Sequence, residues 1–426
     1  MRVFLTGATG FIGGHIMRAL SARGHAVTCL VRPGSERSIE DQALPNVTAR
    51  AGQFTQPVTW TEAIADHDVL INSVGIIRES PRSSFDAVHR AAPIAFFEAG
   101  KAAGVQKIVQ ISALGADEEA ASQYHLSKRA ADRLLAKLGV PFVILRPSLV
   151  YGFGDHSMTF FESLVAWPLT LVPGDGQSLL QPIYIDDLMQ AVIVAVEREE
   201  LKDICVDAGG LAPITFDDLL DVLARRLGRS GANKLHVPWS AMGLIARLTD
   251  ALGVGPISSE ELGMLRRGNH GSNQAFREAF GFEPTALQAG LARKPLGQAE
   301  RWQAMLALVR LPLRLSVAFI WLATGIVSVF FSVKDGYALL SQVGITGPLA
   351  SLSLFGTAYF EIALGVATTL GWHVRLMGLI QLILMLGFTL ILTFGIPELW
   401  LHPFGPLTKN IPLMGATLAM IALEER

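Results

Sequence analysis

The chain has 426 residues, 35 of them basic and 37 acidic, and half of all residues are hydrophobic. That length exceeds one ordinary domain, and the near-neutral balance leaves no electrostatic footprint for nucleic acid. The charge is unevenly placed. From Ser316 to Leu423 the only Asp, Glu, Lys or Arg residues are Lys334, Asp335, Glu361, Arg375, Glu398 and Lys409, whereas the preceding residues carry charge throughout. A water-soluble part followed by a membrane part is the expected organisation.

The chain opens with Arg2-Val3-Phe4-Leu5, a strand-like run, and the glycine-rich turn Gly7-Ala8-Thr9-Gly10-Phe11-Ile12-Gly13, after which Gly14 to Gly24 reads as a helix. Gly7 permits a tight turn, Gly10 lets backbone approach a pyrophosphate, and Gly13 lets the helix pack close to the strand, with free N–H groups at the helix start facing the anion. The beginning of the chain lacks the basic-then-apolar pattern of a secretory leader, so the nucleotide part is expected to stay in the cytoplasm. A second strand, Ala26 to Val31, ends at Arg32. An acid at this point suits the ribose 2′-hydroxyl of NAD, whereas Arg32, with Ser35 and Arg37 close behind, suits a 2′-phosphate. NADP(H) is therefore the expected cofactor, with NAD(H) the alternative.

Asp68 to Asn72 is the next strand, and Ser73-Val74-Gly75 is the turn at its carboxyl end, where nucleotides sit in open α/β sheets. Lys107 to Ile111 and Pro141 to Leu145 follow, ending at Ser112 and at Arg146-Pro147. Strands alternating with helices predict an α/β fold, a Rossmann-type doubly wound parallel sheet. Cys29 and Cys205 fall in segments that read as buried strands and suggest packing residues in a reducing compartment. Tyr124 and Lys128 form a Tyr-x-x-x-Lys pair on a helical segment, with both side chains on one face. Free tyrosine ionises near pH ~10, and an ammonium beside it favours the phenolate, so the pair is expected to exchange protons near neutrality. Ser112, at a strand end, is expected to hold a substrate carbonyl. The catalytic candidates are thus Ser112, Tyr124 and Lys128. From Tyr151 to about Pro295 a cap region is expected, with Phe160, Phe161 and Trp167 as cap core or, alternatively, as a greasy cleft. His156 and His270 show no metal-ligand spacing, and no metal site is expected.

Leu315 to Phe331, Leu349 to Leu370 and Leu376 to Ile396 are apolar runs near the ~20 residues that cross a bilayer, and Ile411 to Leu423 is shorter. Four crossings are expected, with three as the alternative. Arg293, Lys294, Arg301, Arg310 and Arg314 precede the first, and Arg375 lies between the second and third. Basic residues there set the nucleotide domain on the cytoplasmic face, in a bacterial inner membrane. The stretch from Arg301 to Arg314 also reads as an amphipathic helix at the headgroups. Glu361, inside the second crossing, is either functional or paired with a loop residue such as His402 or Lys409.

The stretches Thr6 to Gly13, Ile111 to Ala116, Tyr124 with Lys128, Arg146 to Gly152 and Gln181 to Asp187 resemble the short-chain dehydrogenase/reductase superfamily. They are similar to its atypical NAD(P)-binding branch, which includes the reductase-like accessory subunit of respiratory complex I. The resemblance covers roughly residues 1 to 225. It implies that the turn Gly7, Thr9, Gly10, Phe11, Ile12 and Gly13 lines the pyrophosphate. It also implies that Val74 and Gly75 form the second turn, that Lys128 reaches the nicotinamide ribose and that Pro147 flanks the nicotinamide. Gln53 stands where relatives often have an Asp near the adenine. Trp321 to Gly325 and Pro397 to Pro412 resemble a DoxX-like membrane domain. The expected domains are an NAD(P)-binding domain (1–225, with cap segments from about 151), the remainder of the cap and a linker (226–300), and a DoxX-like bundle of four helices (301–426).

Three functions compete. One is a membrane-anchored NADP(H)-dependent reductase or dehydrogenase of a hydrophobic carbonyl or quinone-type small molecule. Another is a nucleotide-bound scaffold or redox sensor for a membrane protein complex. The third, resting on superfamily resemblance alone, is a nucleotide-sugar epimerase or dehydratase.

Overall fold

A computed structural model describes residues 1–80, 83–252, 258–293 and 296–424. Lys294 of the expected basic cluster and Pro295 at the expected end of the cap lie outside the described residues. The chain divides into two compact units, Met1–Gln298 and Ala299–Arg426.

In the first unit the main strands are β1 (Arg2–Thr6), β2 (Ala26–Val31), β3 (Val47–Ala51), β4 (Val69–Asn72), β5 (Lys107–Ile111), β6 (Phe142–Pro147) and, beyond a small strand β7 (Thr170–Pro173), β8 (Ile204–Ala208). β1 to β6 and β8 form a seven-stranded sheet in the order β8-β6-β5-β4-β1-β2-β3, parallel throughout. Successive side chains point to opposite faces, and both faces are covered. Val3 and Leu5 of β1, Val69 and Ile71 of β4, and Val143 and Leu145 of β6 join one buried layer. Phe4, Leu70, Phe142 and Ile144 join the other. Helices α1 (Phe11–Ala22), with Ile16, Met17 and Leu20, and α4 (Ile185–Glu197), with Leu188 and Val192, cover the first layer. Between them in sequence, α2 (Ala92–Ala103) and α3 (Gln123–Leu135) cover the second through Phe96, Phe97, Ala131 and Leu135. The strand order reverses direction between β1 and β4, which opens a crevice at their carboxyl ends.

Two local expectations change. The first helix begins at Phe11 rather than Gly14, because the glycine turn needs no residues beyond Gly10 to reverse the chain. Cys29 is buried, but Cys205 is exposed, since it points to the face of β8 opposite buried Val206 and Ala208.

The cap continues with α5 (Phe216–Arg226), a strand β9 (Lys234–Val237) paired with β7, α6 (Trp239–Leu252) and α7 (Ser259–Arg267). Phe161 packs edge-on against Phe216, so this aromatic belongs to the cap core. Trp167 is 37% exposed.

In the second unit α8 (Arg310–Phe330), α9 (Gly347–Thr369) and α10 (Val374–Gly395) belong to the three spans long and apolar enough to cross a membrane. α11 (Asn410–Leu423) has 14 residues. At ~1.5 Å per residue it reaches about 21 Å, short of the ~30 Å of hydrocarbon. The expected fourth crossing is therefore a short helix. α8 and α9 approach at glycines: a β-carbon at Gly325 would lie 2.6 Å from the Ala358 carbonyl oxygen, and one at Gly365 would lie 2.6 Å from Leu322. Small residues allow this closeness where no water drives helices together. Gln381 of α10 donates to the Thr368 hydroxyl of α9 at 2.8 Å. Glu361 is buried in α9, and it bonds neither His402 nor Lys409 among the described residues.

One end of this bundle gathers charge. Glu424, just past α11, accepts from Arg310 at 2.9 Å and lies 3.7 Å from Arg314, both at the start of α8. Its backbone carbonyl accepts from Arg375 at the start of α10. The start of α8, the start of α10 and the end of α11 therefore share one end of the bundle. Replacing Glu424 by Ala leaves the two α8 arginines without their shared carboxylate. It is expected to cost about 1–3 kcal/mol, read as a lower thermal midpoint of the detergent-solubilised protein with nucleotide binding unchanged. An unchanged midpoint would show that the cluster contributes nothing.

Candidate functional site

The glycine turn is built by contact distances. Gly7 has φ +82°, and a β-carbon there would meet Ser73 within 2.7 Å. One at Gly13 would lie 2.1 Å from the Gly7 carbonyl oxygen. The Gly10 N–H bonds that carbonyl at 2.9 Å. Gly10 then caps α1 with no side-chain hydrogen bond, and the first turn of α1 carries no acid. The N–H groups at the start of α1 are thus left for an anion, with Thr9 and Gly10 exposed and Phe11 and Ile12 half-buried around them. This cradle fits the pyrophosphate of a dinucleotide. Arg32 follows β2 directly and is exposed, as is Arg37, with Ser35 half-buried between them. Gln53 is exposed beyond β3.

Polar side chains tie the carboxyl ends of the three central strands together. Buried Asn72 accepts from the Thr6 hydroxyl and donates to Gln110, each at 2.8 Å. The same Asn72 oxygen accepts from Val74 N–H at 3.2 Å, and Ser73 donates to the Thr6 carbonyl at 2.6 Å. Positions 74 and 75 are therefore held beside the glycine turn. A polar Asn ending an apolar strand was the available signal for this string.

α3 begins at Gln123, where the Ser122 hydroxyl accepts from His125 N–H. This cap sets the phase that puts Tyr124, Lys128 and Asp132 on one face. Lys128 is buried, and a β-carbon on Gly75 would lie 3.4 Å from its Nζ and 3.6 Å from His89 Nε2. The ammonium donates to the Ile111 carbonyl at 3.2 Å and lies 5.8 Å from the centre of the Tyr124 ring. Burial lowers its pKa to about 8, against the pull of Asp132. Burial pushes the Tyr124 phenol up to about 12. The desolvation of the phenolate outweighs the ammonium, which points its bond at Ile111.

Ser112 follows β5, next to α3. It is buried, and its hydroxyl donates to Asp132 at 2.6 Å. Asp132 further accepts from Arg146 at 3.3 Å, and burial raises its pKa. Pro147 is buried at the end of β6, and its carbonyl accepts from Leu114 N–H at 2.9 Å.

His89 has no counterpart among the sequence candidates. It lies in the π-helical turn Asp86–Ala91 that leads into α2. Its Nε2 accepts from Ile76 N–H at 2.9 Å, so Nδ1 carries the proton toward Ser127 at 3.1 Å. The ring stands edge-on to Tyr124 at 5.3 Å. Burial, and then Lys128, lowers its pKa to about 3, so it stays neutral. A lone His in a helical stretch carries no sequence signal for this contact.

α7 borders these residues. Glu260 accepts from Tyr124 N–H at 2.7 Å, Glu261 from Arg78 at 3.1 Å, and Arg267 donates to Asp117 at 2.8 Å and to the Gly115 carbonyl at 2.9 Å.

Residues 7–154 match the NAD(P)H-binding family and residues 318–418 the DoxX-like family. Among curated proteins the chain is similar to a ceramide reductase of Caulobacter vibrioides, 31% identical over 43% of this chain and 57% of that one. It is also similar to the mitochondrial NADH dehydrogenase [ubiquinone] 1 alpha subcomplex subunit 9 of Dictyostelium discoideum, 26% identical over 55% of this chain and 65% of that one. The chain thus spans less than two thirds of the length of these relatives. Among solved structures, the NADPH-dependent quinone oxidoreductase of Escherichia coli covers 68% of this chain and matches over 99% of its own, with a TM-score of 0.55 at 16% identity. That likeness is one of fold.

Lys128 is charged below pH 8 and loses its proton as the pH rises through about 8. If its ammonium grips the ribose hydroxyls, nucleotide affinity is expected to fall with a midpoint near that pH. Lys128→Met should flatten this limb in a fluorescence titration. A parent affinity that is level from pH 6 to 9 would remove Lys128 from the nucleotide site.

Proposed function

We propose that this chain, which joins an NAD(P)H-binding domain to a DoxX-like membrane domain, is a membrane-anchored NADPH-dependent reductase of a hydrophobic carbonyl or quinone-type substrate. The observation that carries the reading is the meeting of Tyr124, Lys128 and the β4 turn at the carboxyl edge of the sheet, beside the strand-order reversal. When bound there, the nicotinamide supplies a hydride. The turn at Gly7, Thr9, Gly10, Phe11, Ile12 and Gly13 binds the pyrophosphate, Val74, Gly75 and Pro147 border the nicotinamide end, and Arg32 takes the 2′-phosphate. With its pKa near 12, Tyr124 holds its proton at neutral pH and acts as a general acid toward a carbonyl oxygen, which favours reduction over oxidation. Lys128 orients the ribose and offsets negative charge left on the phenol. Ser112 keeps Asp132 in place.

Similarity to a ceramide reductase supports a lipid-like substrate. The arginines at one end of the bundle support a nucleotide domain on the cytoplasmic face of a bacterial inner membrane. A second reading, a nucleotide-bound scaffold in a membrane complex, is favoured by the similarity to the complex I subunit.

Tyr124→Phe is expected to lower hydride transfer by about 10²- to 10⁴-fold and to leave NADPH affinity unchanged. In cells at equal protein level, a silent Tyr124→Phe beside a severe Gly10→Val would instead favour the scaffold. Arg32→Asp is expected to reverse a preference for NADPH over NADH. Equal affinities for both nucleotides in parent and variant would remove Arg32 from the site.

A further inference from the structure

Helix α6 is amphipathic in the wrong sense for a soluble cap. Among its described residues the buried one is the small Ala246, 4% exposed. The large apolar residues Leu244, Ile245 and Leu248 are 60%, 48% and 57% exposed. With the exposed Ala241 they sit at i, i+3, i+4 and i+7, which is one continuous stripe on a helix. Arg247 is exposed at the flank of the stripe, and exposed Asp250 lies on the opposite side, where it accepts from Ser259 N–H at 3.0 Å. The strand that feeds α6 repeats the pattern: Leu235 of β9 and its register partner Leu171 of β7 are 48% and 47% exposed. Water-soluble surfaces carry single exposed leucines, but a contiguous stripe of them marks a docking face.

The occupant follows from the rest of the chain. The nucleotide unit ends at Gln298, and the first membrane-capable helix begins at Ala304. A bilayer is therefore tethered to the nucleotide unit through a few residues of chain, at a local concentration no diffusing protein matches. Leucine and isoleucine on one side, with an arginine whose stem can follow them down while its head stays at the phosphates, is the residue set of a helix lying in the interface.

We propose that α6 is an interfacial helix whose Leu244–Ile245–Leu248 face lies in the surface of the bilayer that holds the chain's own anchor. α7 packs on α6 and is bonded to the loops around Tyr124 through Glu260, Glu261 and Arg267. Docking α6 therefore holds the Tyr124 side of the domain at the lipid surface. The docking itself is independent of catalysis, while its use for collecting a hydrophobic substrate rests on the reductase reading.

The test uses the full chain in phosphatidylcholine/phosphatidylglycerol nanodiscs, with exposed Cys205 replaced by Ser and Cys29 left buried. A bimane label is placed at Leu244→Cys or Leu248→Cys, and for comparison at Val58→Cys, which is 90% exposed. The α6 labels are expected to be quenched by lipid carrying a doxyl group high on its acyl chain. Their quenching constant for aqueous iodide is expected to be at least fivefold below that of the Val58 label, which lipid leaves unquenched. An α6 label that iodide reaches as freely as the Val58 label would overturn the proposal by placing the face in water. A label shielded from both quenchers would overturn it by placing a second copy or another protein there. NADPH binding, measured in each labelled sample, shows that the domain is folded. Loss of NADPH binding in the unlabelled parent would sink the reductase reading while leaving the quenching result to stand alone.

Discussion

A β-carbon at Gly13 would sit 2.1 Å from the carbonyl oxygen of Gly7, a distance no side chain survives. Because nothing occupies that space, α1 comes down directly on the turn that follows β1. The Gly7 carbonyl then binds Gly10 N–H, and the helix opens with its N–H groups uncapped. The same closeness brings Ser73 over Gly7. The β4 turn is thereby fixed next to the glycine turn, and with it Val74 and Gly75. The placement of Lys128 against Gly75 follows in turn, since α3 packs on the layer formed by the same strands. The anion cradle and the close β4 turn both rest on the absence of β-carbons at Gly7 and Gly13.

The interior of the site illustrates how burial decides charge. Lys128, His89 and Asp132 lie close together, and each is shifted toward its neutral form: Lys128 to about 8, His89 to about 3, and Asp132 upward. Desolvation is the largest cause in all three; nearby opposite charges oppose it in part at Lys128 and Asp132, whereas Lys128 adds to it at His89. Tyr124 follows the same rule: with the ammonium 5.8 Å from its ring centre, burial still pushes the phenol up to about 12. The hydrogen bonds confirm where each group is committed. Ser112 serves Asp132, and His89 serves the backbone of Ile76. What faces the β4 turn is the Lys128 ammonium, with the Tyr124 ring beside it.

The membrane unit is organised by different forces. Close helix contact at Gly325 and Gly365 replaces the hydrophobic drive that water supplies to the first unit. Glu424 and the arginines 310, 314 and 375 concentrate charge at one end of the bundle. Glu361 remains a buried carboxylate within α9.

The strands β1, β2, β4, β5 and β6 were legible in the sequence because each is a short apolar run bounded by turn residues, and their alternation with helices sufficed for a parallel sheet. The glycines of the first turn were legible for the same local reason, since only close backbone approach requires Gly there. The three long membrane helices were legible from length and apolarity alone. Local sequence also determined that Tyr124 and Lys128 share a helical face. Only the tertiary structure decided what surrounds that face. The proton of Ser112 went to Asp132, a residue whose partner is set by the packing of α3 on β5. His89 entered the site through a π-helical turn with no sequence signature. Cys205 was exposed because it points to the face of β8 opposite buried Val206 and Ala208. α6 turned its leucines outward because burial depends on which neighbour a helix meets, and a periodic pattern says only that a face is apolar, never what covers it.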